Sequence, residues 1–146
     1  PSVLIIDDEP DITGALTTYF QREGHDVVRA HTGADGVSLV KRTRPDLVLL
    51  DLRLPDMTGF DVLERTREEQ PIVIMITGHG DVDLAVQAMQ NGAESFLTKP
   101  VELPHLAVAA QRAFEKARLR QMNRYLTDRR GRPDPATTAP SSSILG

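Results

Sequence analysis

Residues 3–12 read VLIIDDEPDI: four apolar residues, Val3 to Ile6, run directly into Asp7, Asp8 and Glu9. An uninterrupted, β-branched run of this length suits a strand buried on both faces. Adjacent carboxylates repel one another and resist leaving water. A buried strand that ends in them therefore needs something at its mouth to offset their charge.

The same kind of run recurs along the chain. Val27–Ala30, Leu47–Leu50, Val73–Ile76 and the weaker Ser95–Leu97 are short and rich in Leu or β-branched residues. Between them lie stretches with helical spacing. Ile12, Leu16, Tyr19 and Phe20 form one stripe, Val37 and Val40 begin a second, Val62 and Leu63 a third, and Leu84, Val86, Ala88 and Met89 a fourth. Gly24, Gly33, Gly59 and Gly92 punctuate the boundaries, where turns and helix ends favour positive φ. Alternating β and α segments with short connections imply right-handed βαβ units and one α/β domain around a parallel sheet.

The last helical stretch is longer, from near Glu102 to about Thr127. Its first half offers Leu106, Ala110, Ala113 and Ala117 to the sheet; its second half carries Leu119, Met122 and Leu126 at three- and four-residue spacing, a short seam for a second copy. From Gly131 the segment GRPDPATTAPSSS is rich in Pro, Ser and Thr and reads as a flexible linker, and the closing SILG suggests the start of a further domain.

Charge is unevenly spread. Eight Lys/Arg and two Asp/Glu fall between Arg112 and Arg132, a local +6; with an overall charge of −4, the remainder carries −10. Cysteine is absent, which excludes disulfides and thiolate chemistry, and aromatic residues are only 4%, too few for a surface that stacks single-stranded bases. No apolar run approaches the roughly 18 residues of a membrane span, and no leader pattern opens the chain, so no membrane contact is expected; the lack of cysteine fits a cytoplasmic home.

In an open parallel sheet, ligands bind outside the carboxyl ends of the strands, at the switch in strand order. Asp7 and Asp8 follow the first strand and Asp51 ends the third, in DLVLLD. Neighbouring central strands would bring the three together, and two such charges ~4 Å apart cost about 4 kcal/mol at an effective dielectric near 20. A hard divalent cation answers the problem that the opening stretch poses, and oxygen ligands favour Mg²⁺. Thr77, in IMITGHG, and Lys99, in TKP, sit at two further strand ends, where a hydroxyl and an ammonium suit the oxygens of a phosphoryl group. Pro100 relaxes the trans preference of the Lys99–Pro100 bond, and a cis bond there would help aim the lysine.

The ordered set DD, D, T and KP resembles the receiver domain of two-component response regulators. That resemblance implies a flavodoxin-like (βα)5 fold with a five-stranded parallel sheet in order 2-1-3-4-5, helices on both faces and an elongated last helix. It implies Asp51 as the phosphoacceptor, Mg²⁺ held by Asp7, Asp8, Asp51 and the backbone carbonyl of Arg53, Lys99 and Thr77 on the phosphoryl oxygens, and Thr77 with Phe96 as the switch pair. Phe96 stands where a Tyr would add a hydroxyl. The resemblance also implies that Arg53 and His79, each two residues past a site residue, stand at positions whose side chains tune phosphoryl loss. The stretch TGHGDVDLAVQAMQNGAESFLTKP is similar to receivers of sigma-54-dependent, nitrogen-regulation-type transcription activators. There a receiver precedes an AAA+ ATPase and a DNA-binding domain.

The expected organisation is a receiver over residues 1–120, a helical extension with a dimerising coiled coil over 121–130, and a linker over 131–146 to a missing domain. The expected function is a signalling switch rather than an enzyme, phosphorylated by a sensor histidine kinase and acting as a homodimer. The alternative is a stand-alone or other-output receiver in a phosphorelay. Direct nucleic-acid contact by Arg112–Arg132 is not expected. An aspartate-based phosphohydrolase would want a second acid where Arg53 stands, and a flavin-type phosphate site would be repelled by DDEPD.

Overall fold

The computed structural model of the chain describes residues 1–78 and 82–131. In chain order it contains β1 (Ser2–Ile6), α1 (Pro10–Arg22), β2 (Asp26–Ala30), α2 (Gly33–Thr43), β3 (Leu47–Asp51), α3 (Gly59–Arg65), a 3₁₀ turn at Arg67–Glu69, β4 (Val73–Thr77), α4 (Val82–Gln90), β5 (Ser95–Thr98) and α5 (Leu103–Gly131). The strands form one sheet in the order β2-β1-β3-β4-β5, every neighbouring pair parallel, as expected.

Alternation along the strands divides the core into two layers. Val3, Ile5, Leu47, Leu49, Ile74 and Ile76 face α1 and α5, where Leu16, Phe20, Leu106 and Ala113 meet them. Leu4, Ile6, Val48, Leu50, Val73 and Met75 face the other way, onto Val40, Val62, Leu63 and Ala88 of α2, α3 and α4. β1, β3 and β4 are therefore covered on both sides. The two outer strands are not: β2 leaves Val28 exposed and β5 is half-buried, because the edges of the sheet extend past the cover of the helices. Composition alone made β2 look like its buried neighbours.

Two other expectations are corrected. Positive φ occurs at Gly24 and Gly92, at +88° and +100°, but not at Gly33 or Gly59. Those two are small for want of room: a Cβ on Gly33 would run into the Met57 side chain, and one on Gly59 would lie 2.9 Å from the Asp51 carbonyl oxygen. In α4 only Ala88 is buried, while Val82, Val86 and Met89 are exposed. The fourth stripe is thus split between the core and solvent, since a helix of nine residues meets the sheet through one narrow line.

α5 begins at Leu103 and continues to Gly131, beyond the expected Thr127. Leu106, Ala110, Ala113 and Ala117 are buried, as expected, and the seam residues Leu119, Met122 and Leu126 are exposed. Lys116 pairs with Glu94 at 2.9 Å and the Arg120 guanidinium donates to the Gln70 carbonyl at 2.7 Å, fixing the helix where its apolar contacts end. Past its first residue the expected linker lies outside the described residues, as does His79. No helix among the described residues is long and apolar enough to cross a membrane.

Candidate functional site

The parallel register aligns the carboxyl ends of the central strands: Ile6 stands beside Leu50, Asp51 beside Ile76, and Thr77 beside Thr98. The residues at these ends therefore share one rim. Asp7, Asp8 and Asp51 each offer a carboxylate oxygen there, and these atoms all lie within 4.8 Å of one another. Asp7 is 2% exposed and Asp51 5%, whereas Asp8 faces solvent. Asp7 accepts from the Glu9 amide at 2.9 Å, and Asp51 accepts from the Arg53 amide at 3.3 Å. Burial, and then the charge of Asp7, push the Asp51 carboxyl above its usual range, with Lys99 only partly offsetting them.

Lys99 reaches into this rim from the end of β5. Its Nζ lies 2.9 Å from Glu9, 3.0 Å from Asp7 and 3.2 Å from Asp51. An ammonium has three donors, and here three carboxylates surround it. Burial works against its charge, but the bonds to Glu9 and Asp7 and the charge of Asp51 outweigh that and hold its pKa above the usual lysine value. The Lys99 backbone amide also donates to the Thr77 carbonyl at 2.7 Å, and the Lys99–Pro100 bond is cis. Thr77 is buried at the end of β4; Phe96, next along β5, is half-buried against the α2–α4 side of the core.

The loop after β3 is tightly built. The Leu54 amide donates to the Met57 carbonyl, Gly59 donates to Leu52 at 2.7 Å, and Arg53 bridges Thr58. Thr58 and Asp61 close a capping box at the start of α3. Asp56 accepts from the amides of Gly33 and Ala34 at 2.7 and 2.9 Å, tying the loop to the first turn of α2. These bonds hold the Arg53 backbone at the rim while its side chain is exposed.

Sequence reasoning assigned no role to Glu9 or Asp56. Glu9 is legible as the third acid of DDE, but its grip on Lys99 spans 90 positions and leaves no mark in the sequence. Glu9 is also the N-cap of α1 without a side-chain cap bond; its carboxylate is engaged by Lys99 instead.

Among the described residues, the donors at the rim are oxygens of three carboxylates, two of them buried, and one ammonium does not balance them. Such a set fits a hard divalent cation and not a soft one. Residues 3–111 match the family model described as the response regulator receiver domain. The chain belongs to the response regulator receiver family. This receiver is 41% identical over 115 residues to the regulatory protein LuxO of Vibrio cholerae, which covers 77% of this chain and 25% of that protein. It is 34% identical over 148 residues to the nitrogen assimilation regulatory protein NtrX of Azorhizobium caulinodans, covering 98% of this chain and 32% of the relative. The chain thus spans between a quarter and a third of the length of these relatives. Among solved structures, the receiver domain of a putative LuxO repressor protein from Vibrio parahaemolyticus superposes with a TM-score of 0.79 at 36% identity, covering 84% of this chain and 95% of that one.

Proposed function

We propose that this receiver is a phosphorylation-dependent switch in which Asp51 accepts a phosphoryl group from the phosphohistidine of a sensor histidine kinase. The observation that carries the reading is Asp51 itself, buried at the mouth of β3, with a carboxylate oxygen within 4.8 Å of those of Asp7 and Asp8 and 3.2 Å from Lys99. An Asp51 carboxylate oxygen attacks phosphorus, the P–N bond breaks, and the imidazole keeps the electron pair and takes a proton. Asp7, Asp8, Asp51 and the Arg53 carbonyl would hold Mg²⁺, which supplies charge neutralisation between nucleophile and incoming phosphoryl group. Lys99 leaves a carboxylate for a phosphoryl oxygen. The Thr77 hydroxyl donates to another, and Phe96, already half-buried, turns further inward behind it.

An apolar hollow lined by Ile12, Ala15, Leu16, Pro100, Val101 and Leu103 opens beside Lys99, a surface against which the donor could rest. The output is a change between copies of the chain, through the exposed apolar residues of α4 and the distal seam of α5. The chain matches a quarter to a third of LuxO and NtrX, which supports its being the receiver part of a longer regulator; with the resemblance of TGHGDVDLAVQAMQNGAESFLTKP, the reading is a cytoplasmic, N-terminal receiver of a sigma-54-dependent AAA+ activator. In that arrangement residues 1–120 form the receiver, 121–130 the dimerising extension and 131–146 the linker, and DNA contact belongs to another domain. Acetyl phosphate with Mg²⁺ tests the acceptor. Intact mass should gain one phosphoryl group, fail to gain it when a chelator is present from the start, and never gain it in Asp51→Asn; an equal gain in that variant would end the reading.

A further inference from the structure

Lys99 is shared among three carboxylates that are not alike. Asp7 and Asp51 are buried and belong to the cluster whose oxygens converge within 4.8 Å; Glu9 lies outside that cluster and its side chain is 56% exposed. Asp7 and Asp51 cannot serve an ammonium and a divalent cation equally well at once. A cation among the three aspartates repels the nearby ammonium and draws the same oxygens to itself. Among the described residues, Glu9 is the partner of Lys99 that the cation leaves untouched, and it makes the shortest of the three contacts, at 2.9 Å. The backbone helps to fix it there: the Glu9 amide donates to Asp7, and the Glu9 carbonyl accepts from Thr13 in the first turn of α1.

We propose that Glu9 is a positioning residue, the seat that holds Lys99 at the mouth of the site while the aspartates carry their cation. It keeps the lysine from competing for the metal oxygens and leaves it poised for an incoming phosphoryl oxygen. The inference rests on the Mg²⁺ reading above. Without the Glu9 charge, Lys99 stays on Asp7 and Asp51 and must be displaced before the cation binds.

Calorimetric titration of Mg²⁺ into four proteins tests this: wild type, Glu9→Gln, Lys99→Met and the double variant. Glu9→Gln should weaken Mg²⁺ binding by about fivefold, which converts to ~1 kcal/mol of coupling. In the Lys99→Met background the same substitution should change affinity by less than about twofold, because no lysine remains to be seated. An equal loss in both backgrounds would mean that Glu9 acts only as one more negative charge, and would overturn the proposal. So would an unchanged affinity in Glu9→Gln. A wild-type chain that takes up no Mg²⁺ would instead overturn the cation reading, a failure read from a different sample. Because Lys99→Met is expected to weaken the fold, the Lys99 side-chain ammonium resonance gives a second measurement on the intact lysine. At saturating Mg²⁺ it should remain protected from exchange in wild type and lose protection in Glu9→Gln; equal protection in the two refutes the seat.

Discussion

Replacing Lys99 by Met removes the single positive charge that, among the described residues, pairs with Asp7 and Asp51. Two nearly inaccessible carboxylates would then face each other uncompensated. Breaking a buried ion pair by removing one partner typically costs about 3–5 kcal/mol. An independent route gives a similar figure. The cheapest relief is to keep one carboxyl protonated, and doing so at pH 7 for a group with an ordinary pKa near 4 costs about 4 kcal/mol, at 1.36 kcal/mol per unit. Contact with the exposed Glu9 adds less than ~1 kcal/mol. The expected loss in metal-free Lys99→Met at pH 7 is therefore about 3–4 kcal/mol.

The pH dependence follows in sign. A carboxyl whose pKa is raised by folding binds more protons in the folded chain, so its contribution is full at low pH and is lost as pH rises through the folded value. Asp51 is shifted upward already, and removing Lys99 takes away a charge and a hydrogen bond that hold it down. The deficit should shrink to about 1.5 kcal/mol near pH 5, where protonation costs less. Adding Mg²⁺, or adding Asp51→Asn to the variant, should restore part of the loss. With no Trp in the chain, urea unfolding is followed by circular dichroism. A loss below about 1 kcal/mol at pH 7, or one that does not vary with pH, refutes the argument that Lys99 neutralises the buried acids.

Gly59→Ala places a methyl 2.9 Å from the Asp51 carbonyl oxygen and 3.0 Å from Met75, so it should destabilise by about 1–3 kcal/mol and slow phosphorylation of Asp51 in the same preparation. Asp56→Ala removes the two bonds to the first turn of α2. Faster hydrogen exchange at Gly33 and Ala34, and a lower melting temperature, should follow. His25 is packed against Phe114 with its Nδ1 unpartnered, and burial holds its pKa below the ordinary value of 6.5. Its contribution to stability is full above that value and is lost as pH falls through it, so His25→Phe should flatten the melting curve against pH in that window. Replacing Leu119, Met122 and Leu126 together by Ser should leave the melting temperature nearly unchanged, since all three are exposed, while sedimentation shows any self-association weakened.

Much of the fold was readable because each strand is a short apolar run and each helix has a stripe at its own period. The acids at the ends of β1 and β3 converge because parallel register brings strand ends to one rim, which the strand-end rule anticipates. What escaped was information carried between distant elements. Glu9 meets Lys99 and Asp56 meets the first turn of α2 through side chains that have no period and whose partners lie far along the chain. The exposed face of α4 escaped for another reason: periodicity places Val86 and Met89 on a helix but does not say how much of a short helix the sheet covers. The end of α5 was set short because Asp128, Arg129 and Arg130 have no apolar period, although nothing in them stops a helix before Gly131.

The central claim is that one carboxylate, at the mouth of β3, takes the phosphoryl group among three that share the site. Borohydride reduction after treatment with acetyl phosphate and Mg²⁺ converts an acyl-phosphorylated aspartate to homoserine, which peptide mass mapping locates. The account requires homoserine at position 51 alone, dependent on the cation; homoserine at 7 or 8, or at none of the three, contradicts it.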